Sequence, residues 1–336
     1  MSIAVIRPGL LTTVQDLGRY GYQKYGVIVS GAMDPYALRV ANLLVGNSAG
    51  EAGLEITLLG PTLQFAADTL LAITGGDLSP VVDGRPVPLW RPVYLAKDSI
   101  LQFGAVKSGC RAYLAVAGGY AVGEVMGSKS TYLRAGIGGF AGRALQAGDV
   151  LQQNEPPAGA AEWLARLRQR AAGAPLGATS WYAGREHPAA APAAATVRVM
   201  RGSQYSRFSA AAQTAFWNTE FTVTPRADRM GYRLAGAALD LDEPLEMLSE
   251  AVALGTIQVP PDGQPIILLA DRQTTGGYPK IGQVAVVDAA KVAQVKPGGK
   301  IRFTEVTVAE ADRLYQEREQ TLHCLKTAIN IKMKHW

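Results

Sequence analysis

Short apolar runs of strand length, each closed off by glycine, proline or aspartate, recur along almost the whole chain and restrict its fold more than any other feature. TLQF, TLLAIT, VYLA, SILQFG and RAYLAVAG lie in the first half, and TVRVM, EFTVTP, IILLA and KIRFTEV in the second. Such runs are too short for amphipathic helices and carry the turn residues that separate strands. The expected class is mainly β, a β-rich α+β fold with a few helices.

The run of strands is interrupted over residues 156–196, where alanine, proline and glycine dominate. Within it AEWLARLRQRAA has helical composition with Trp163, Leu164 and Leu167 on one side, and the remainder reads as linker. A length of 336 residues leads one to expect about two domains. The expected division is therefore 1–155, a first β domain; 156–196, a linker with a short helix; 197–308, a second β domain; and 309–336, a helix and tail.

Two helix starts are legible. Asp34 followed by Pro35 offers an N-cap and a first-turn proline for DPYALRVANLLV, and Thr307 with Glu310 forms a capping box. The last residues, LKTAINIKMKHW, read as a tail. The halves also echo one another: Glu55, Gly60, Leu63-Gln64-Phe65 and Asp77 are followed later by Glu250, Gly255, Ile257-Gln258-Val259 and Asp271. A looser echo joins DLGRYGY at Asp16 to DRMGY at Asp228. A duplication would place Asp77 and Asp271 at equivalent strand ends of two similar barrels.

Composition then narrows the chemistry. The only histidines are His187, His323 and His335, in the linker and the tail, so a histidine triad or metal cage has no scaffold. Cys110 and Cys324 lie far apart, with neither disulfide nor zinc spacing. Net charge is +5 without a basic block, which argues against nucleic acid and leaves small anions as ligands. No apolar run approaches the roughly 20 residues of a membrane span, and MSIAVIRPGL lacks the features of a secretory signal. A cytoplasmic protein without membrane contact is expected. Catalysis should then rest on Asp, Glu, Lys, Arg, Tyr or backbone groups.

Two glycine-rich segments imitate nucleotide loops. GEVMGSKS, at Gly123 to Ser130, has Ser128 where a P-loop needs glycine before the lysine, and GIGGFA, at Gly136 to Ala141, has neither a preceding strand nor a following helix. The backbone around Ser128, Lys129, Ser130 and Thr131 could still offer amides to an anion. The tail sequence IKMK reverses the Met-Lys-Met order of a biotin attachment site and has no carrier domain around it.

ADRQTTGGYPKIGQV, from Ala270 to Val284, is longer than the usual two to five residues of a hairpin connection. It carries Asp271, Gln273, Thr275, Gly276, Gly277, Tyr278 and Lys280, with two glycines that admit close approach of a ligand to backbone. It reads either as a solvated hairpin or as a ligand loop, and the ligand loop is favoured. ITGGD, ending at Asp77, follows the same logic. In RADRMGYRL, Arg226, Arg229 and Arg233 surround Asp228, a surface ion cluster or a fork for an anion.

Several ordered stretches together resemble a known family: VQDLGRYGYQKYGVIVSGAMDPYALRVANLLVGN, LEITLLGPTLQF, ITGGD, SKSTYLRAGIGGFAGRALQAGD, DRMGYRL and LLADRQTTGGYPKIGQV. They closely resemble the family of the C subunit of bacterial 5-oxoprolinase, which includes the Kip-type sensor-kinase antagonist, allophanate hydrolase subunit 2 and the biotin-dependent carboxyltransferase part of urea amidolyase. The similarity runs from about Ile6 to Phe303. It implies two cyclophilin-like β-barrel domains, a partner of related fold, the B subunit of 5-oxoprolinase, and a third component, the A subunit. The activity implied is ATP-dependent opening of the cyclic amide 5-oxo-L-proline to L-glutamate, with Mg accompanying the ATP.

Carried onto this chain, the resemblance implies Asp271, Lys280 and Asp77 as catalytic residues and Gln273, Thr275, Gly276, Gly277, Tyr278 and Arg229 as substrate-binding ones. A carboxylate of Asp271 or Asp77 would accept the ring N–H, and Lys280 or Arg229 would donate to the carbonyl oxygen. Two other classes remain open: a biotin-dependent carboxyltransferase acting in urea metabolism, which would use biotin, and a non-catalytic Kip-type antagonist. The absence of a fused carrier domain tilts the expectation toward the oxoprolinase.

Overall fold

The computed structural model describes residues 1–184 and 194–335, so His187 and Trp336 lie outside the described residues. Most of the regular structure is β. Among the described residues five α-helices accompany it: α1 (Pro35–Leu44), α2 (Ala158–Ala171), α3 (Ala210–Asn218), α4 (Ala289–Gln294) and α5 (Val308–His335). The chain forms two compact units, one of Met1–Arg19, Ser30–Ala189 and Thr321–Trp336, the other of Tyr20–Val29 and Ala190–Gln320.

The first unit holds two antiparallel sheets of six strands each. One runs Val150–Gln152, Ser2–Arg7, Thr62–Phe65, Ile100–Gln102, Val81–Val82, Arg85–Pro86; the other runs Leu176–Ala178, Val93–Leu95, Thr69–Asp77, Ser108–Val116, Gly53–Thr57, Leu11–Gln15. Ile3, Leu63 and Phe65 of the first sheet share a core with Leu71, Ile73 and Leu114 of the second. Because side chains alternate along a strand, Leu70, Ala72, Tyr113 and Ala115 face the other way. There they meet Leu38 and Ala41 of α1 and Trp163 and Leu167 of α2. Burial on both faces explains why TLLAIT and RAYLAVAG read as continuous apolar runs rather than alternating ones.

α1 begins as expected. The Asp34 carboxylate accepts from the Ala37 amide at 2.9 Å, and Pro35 opens the helix. Beneath it, the Tyr113 hydroxyl accepts from the Asp34 amide and donates to Glu55, both at 2.7 Å. Burial and the neighbouring Glu55 push the Tyr113 phenol well above its ordinary range, so it stays protonated and keeps donating. Asp34→Ala is expected to cost about 1–2 kcal/mol, read as a shift in the denaturant midpoint.

Of the Ala/Pro-rich segment, residues 156–184 pack within this unit, and residues 185–193 of the expected linker lie outside the described residues. α2 buries Ala160, Trp163 and Leu167, and Leu176–Ala178 pairs with Val93–Leu95. The C-terminal residues are likewise no tail. α5 continues to His335, Leu322 and Ile329 are buried in the helix-facing core, and the Trp163 indole donates to the Met333 carbonyl at 3.0 Å. The Thr307 hydroxyl accepts from the Glu310 amide at 3.2 Å, the expected cap at the start of that helix. No helix among the described residues is long and apolar enough to cross a membrane.

The second unit is a closed barrel of seven strands, in the order Ala195–Arg201, Lys280–Val284, Thr256–Gln258, Ile266–Leu268, Gly231–Ala235, Glu220–Val223, Lys300–Glu305. The last closes on the first through a parallel ladder. Phe216 of α3 stacks on Phe303 with centroids 4.7 Å apart, and Phe221 packs on the same ring.

The longer echo between the halves is not a structural equivalence. Thr62–Phe65 and Thr69–Asp77 lie in different sheets, whereas Thr256–Gln258 and Ile266–Leu268 are direct neighbours. The shorter echo has a physical basis: Asp16 accepts from the Gly18 amide and Asp228 from the Met230 amide, each at 2.8 Å, in matching aspartate turns.

Candidate functional site

The segment Asp271 to Lys280 is not a hairpin. Strands Ile266–Leu268 and Lys280–Val284 each pair antiparallel with Thr256–Gln258, on opposite sides of it. The connection must therefore cross over that central strand, which is why it is long.

Its base is clamped twice. The Leu269 amide donates to the Met230 carbonyl and the Asp271 amide to the Arg229 carbonyl, at 2.9 and 2.8 Å. Asp228 folds the preceding turn by accepting from the Met230 and Gly231 amides, so its carboxylate does not gather the neighbouring arginines. Arg226 and Arg233 point to solvent and Arg229 alone is buried. Arg229 then grips Asp271 in a two-pronged pair, Nε to Oδ2 and Nη2 to Oδ1, both 2.9 Å. Both oxygens of Asp271 are held by this guanidinium, so the two residues hold each other and brace the loop.

Beyond this base, Thr275–Gly276 forms a two-stranded ribbon with Glu250–Ala251. Gly276 is required there, since a Cβ would sit 2.5 Å from Nε2 of the buried Gln258. Gln258 Nε2 is 3.4 Å from the Tyr278 carbonyl, and the Val259 amide donates to the Pro279 carbonyl at 2.9 Å. Gln273 is half-buried, while Thr275, Gly277 and the Tyr278 ring are exposed. The Lys280 amide is fixed by Gln204, and its ammonium pairs with the Glu250 carboxylate. Eight of the nine expected site residues thus fall on this loop or its brace.

The ninth, Asp77, belongs to the first unit and ends the strand Thr69–Asp77. Its Oδ1 accepts from the Ser79 amide at 2.8 Å, and no described residue donates to Oδ2. The glycines before it serve strand packing: a Cβ on Gly75 would meet the Arg111 carbonyl at 2.5 Å, and one on Gly76 the Ser108 carbonyl at 2.8 Å. Glu250, Gln258 and Arg272 belong to the loop's surroundings without having been picked out as site residues, because their relevance depends on pairings between distant strands.

The P-loop lookalike does not fit phosphate. The amides of Lys129, Ser130 and Thr131 donate to Asp16 Oδ2, Ser128 Oγ and the Val14 carbonyl, and the Lys129 ammonium pairs with Glu51 at 2.6 Å. These amides close the chain on itself and leave no cradle for an anion. Among the described residues no cluster of three or more His, Cys, Asp or Glu is placed to hold a metal.

Residues 25–305 match the family model of the carboxyltransferase domain, subdomain A and B. The chain belongs to this carboxyltransferase family. Its relatives include the C subunit of 5-oxoprolinase from Haemophilus influenzae, 39% identical over 95% of this chain and 96% of the relative. The corresponding 5-oxoprolinase C subunit of Escherichia coli is 38% identical, with the same two coverages. Among solved structures, the K. lactis urea amidolyase superposes with a TM-score of 0.82 at 31% identity. That alignment covers 96% of the carboxyltransferase-family chain but only 20% of the amidolyase.

Proposed function

We propose that this chain is the C subunit of an ATP-dependent 5-oxoprolinase, which opens 5-oxo-L-proline to L-glutamate together with the A and B subunits, in the cytoplasm. One observation carries the reading: the similarity to the two 5-oxoprolinase relatives runs over 95% of this chain and 96% of each of them. The match to urea amidolyase, by contrast, takes in a fifth of that protein.

The loop suits a cyclic amide. A lactam presents an N–H beside a C=O, and its resonance makes the carbonyl a poor electrophile. Lys280 has three N–H donors, of which one engages Glu250. A remaining donor, aimed at the lactam oxygen, stabilises the negative charge that grows there as the ring opens. Gln273, Thr275, Gly276, Gly277 and Tyr278 line the ligand edge, and the Arg229–Asp271 brace holds that edge still. In the first unit, Asp77 has one carboxylate oxygen with no donor among the described residues, open to an N–H donor. ATP, with its Mg, drives the reaction in the complex; the P-loop-like segment of this chain is closed on itself and does not hold the nucleotide's phosphates.

The test is to purify the chain with its two partners and measure glutamate release coupled to ATP hydrolysis. Omitting this chain is expected to abolish the release. The carboxyltransferase family description supports a second reading, biotin-dependent carboxylation in urea metabolism. Activity only with urea, bicarbonate, ATP, biotin carboxylase and a biotinylated carrier would replace the first reading by the second.

A further inference from the structure

In the second unit, the Nε–Nη2 edge of three arginines grips a protein carboxylate. Arg229 holds Asp271 at 2.9 and 2.9 Å, Arg198 holds Asp288 at 2.9 and 2.5 Å, and Arg201 holds Glu305 at 2.6 and 3.1 Å. This edge matches the two oxygens of a carboxylate, so each pair is directional.

Arg272, next in sequence to Asp271, departs from the pattern. Its Nη1 donates to the Leu269 carbonyl at 3.2 Å. Its Nε is buried without an acceptor among the described residues, no described residue accepts from Nη2, and no described carboxylate forms an ion pair with it. Arg226 and Arg233 nearby are exposed, whereas Arg272 is half-buried with its Nε closed to solvent. Burial pulls the Arg272 guanidinium below its ordinary range, with the Tyr20 phenol opposing the shift. A guanidinium nonetheless keeps its charge at working pH. A cation partly withdrawn from water without a counter-charge is costly to the fold, which makes such a group in a loop a candidate for binding an anionic ligand.

We propose that Arg272 is a substrate-binding residue that receives the α-carboxylate of 5-oxo-L-proline on its Nε–Nη2 edge. The inference rests on the functional reading above and adds to it the part of the substrate that Lys280 does not address. It makes the loop a two-point receptor, with Lys280 for the lactam oxygen and Arg272 for the carboxylate. The complex then distinguishes free 5-oxoproline from the same ring capped as an amide, such as the ring at the blocked end of a peptide.

The experiment compares 5-oxo-L-proline as substrate with 5-oxo-L-prolinamide as competitive ligand, in the full complex of all three proteins. For the wild type, the Ki of the amide is expected to exceed the KM of the acid by about 10- to 100-fold, the scale of one charge-assisted hydrogen bond. Arg272→Gln should raise the KM of the acid by about the same factor, keep kcat within about threefold, and leave the Ki of the amide unchanged. Arg272→Lys, which keeps the charge and loses the fork, should recover part of the preference. A general disturbance of the loop would weaken both ligands alike. An active wild-type complex whose preference for the acid survives Arg272→Gln, or a variant that weakens both ligands equally, overturns this inference alone. A wild-type complex that releases no glutamate overturns the functional reading and this inference with it.

Discussion

Lys280→Ala in the assembled complex is expected to lower kcat/KM for 5-oxo-L-proline by about 100- to 1000-fold, the usual effect of removing one donor from a developing oxyanion. The loss should fall mainly on kcat, because the interaction strengthens as charge builds on the lactam oxygen. The fold should survive. The Lys280 backbone stays in the barrel ladder, and the ion pair it gives up has a Glu250 side chain 52% exposed, a setting in which such pairs contribute about 0–1 kcal/mol.

Glu250→Gln is the informative control. It frees the ammonium from its partner while keeping the residue's size, so activity should change far less than with Lys280→Ala if Lys280 acts on the substrate. An equal loss in both would mean that the pair, rather than the ammonium, is what matters. Unchanged glutamate release in Lys280→Ala would sink the assignment of Lys280 altogether, and with normal activity in the wild type it would do so without touching the role of the complex.

What could be read from the sequence was what is local. Asp34 and Pro35 announced α1 because an N-cap needs only the next turn of chain. The strands TLQF, TLLAIT, TVRVM and KIRFTEV were recognisable because period and turn residues sit within a few positions. In the Ala/Pro-rich segment the helix was legible with Trp163 and Leu167 on its buried side, but composition could not show that α2 docks onto the helix-facing core. The C-terminal helix looked like a tail for a related reason: Ile329 finds its partners in a core assembled from strands and helices far away in sequence.

The loop could be picked out as a candidate from its polar residues and paired glycines, but its wiring could not. That Asp271 spends itself on Arg229 could not be seen, since Gly231–Ala235 and Ile266–Leu268 become neighbours only when the barrel forms. The same ignorance hid Arg272, whose Nε is buried without an acceptor among the described residues.

Breaking the Arg229–Asp271 brace should have the largest effect on stability. Both side chains are nearly closed to water, at 5% and 9% exposure, and the geometry is two-pronged. Removing one partner takes from the other buried charge its two-pronged counter-ion, which typically costs about 3–5 kcal/mol. Asp271→Ala and Arg229→Ala are each expected to lose about that much in denaturant unfolding, and Asp271→Asn somewhat less because the amide can still accept one hydrogen bond. The double variant decides whether the pair acts as a unit. With both charges gone, the second substitution should add little, giving a coupling of more than about 1 kcal/mol. If instead the two losses simply add, each side chain is stabilised separately and the brace is not the element that holds the loop. Asp271→Asn also separates stability from catalysis: assayed well below its melting temperature, it should retain far more turnover than Lys280→Ala, because the carboxylate's partner is Arg229 rather than the substrate. A loss of turnover as deep as that of Lys280→Ala in a folded Asp271→Asn would return the carboxylate to direct chemistry on the ring N–H.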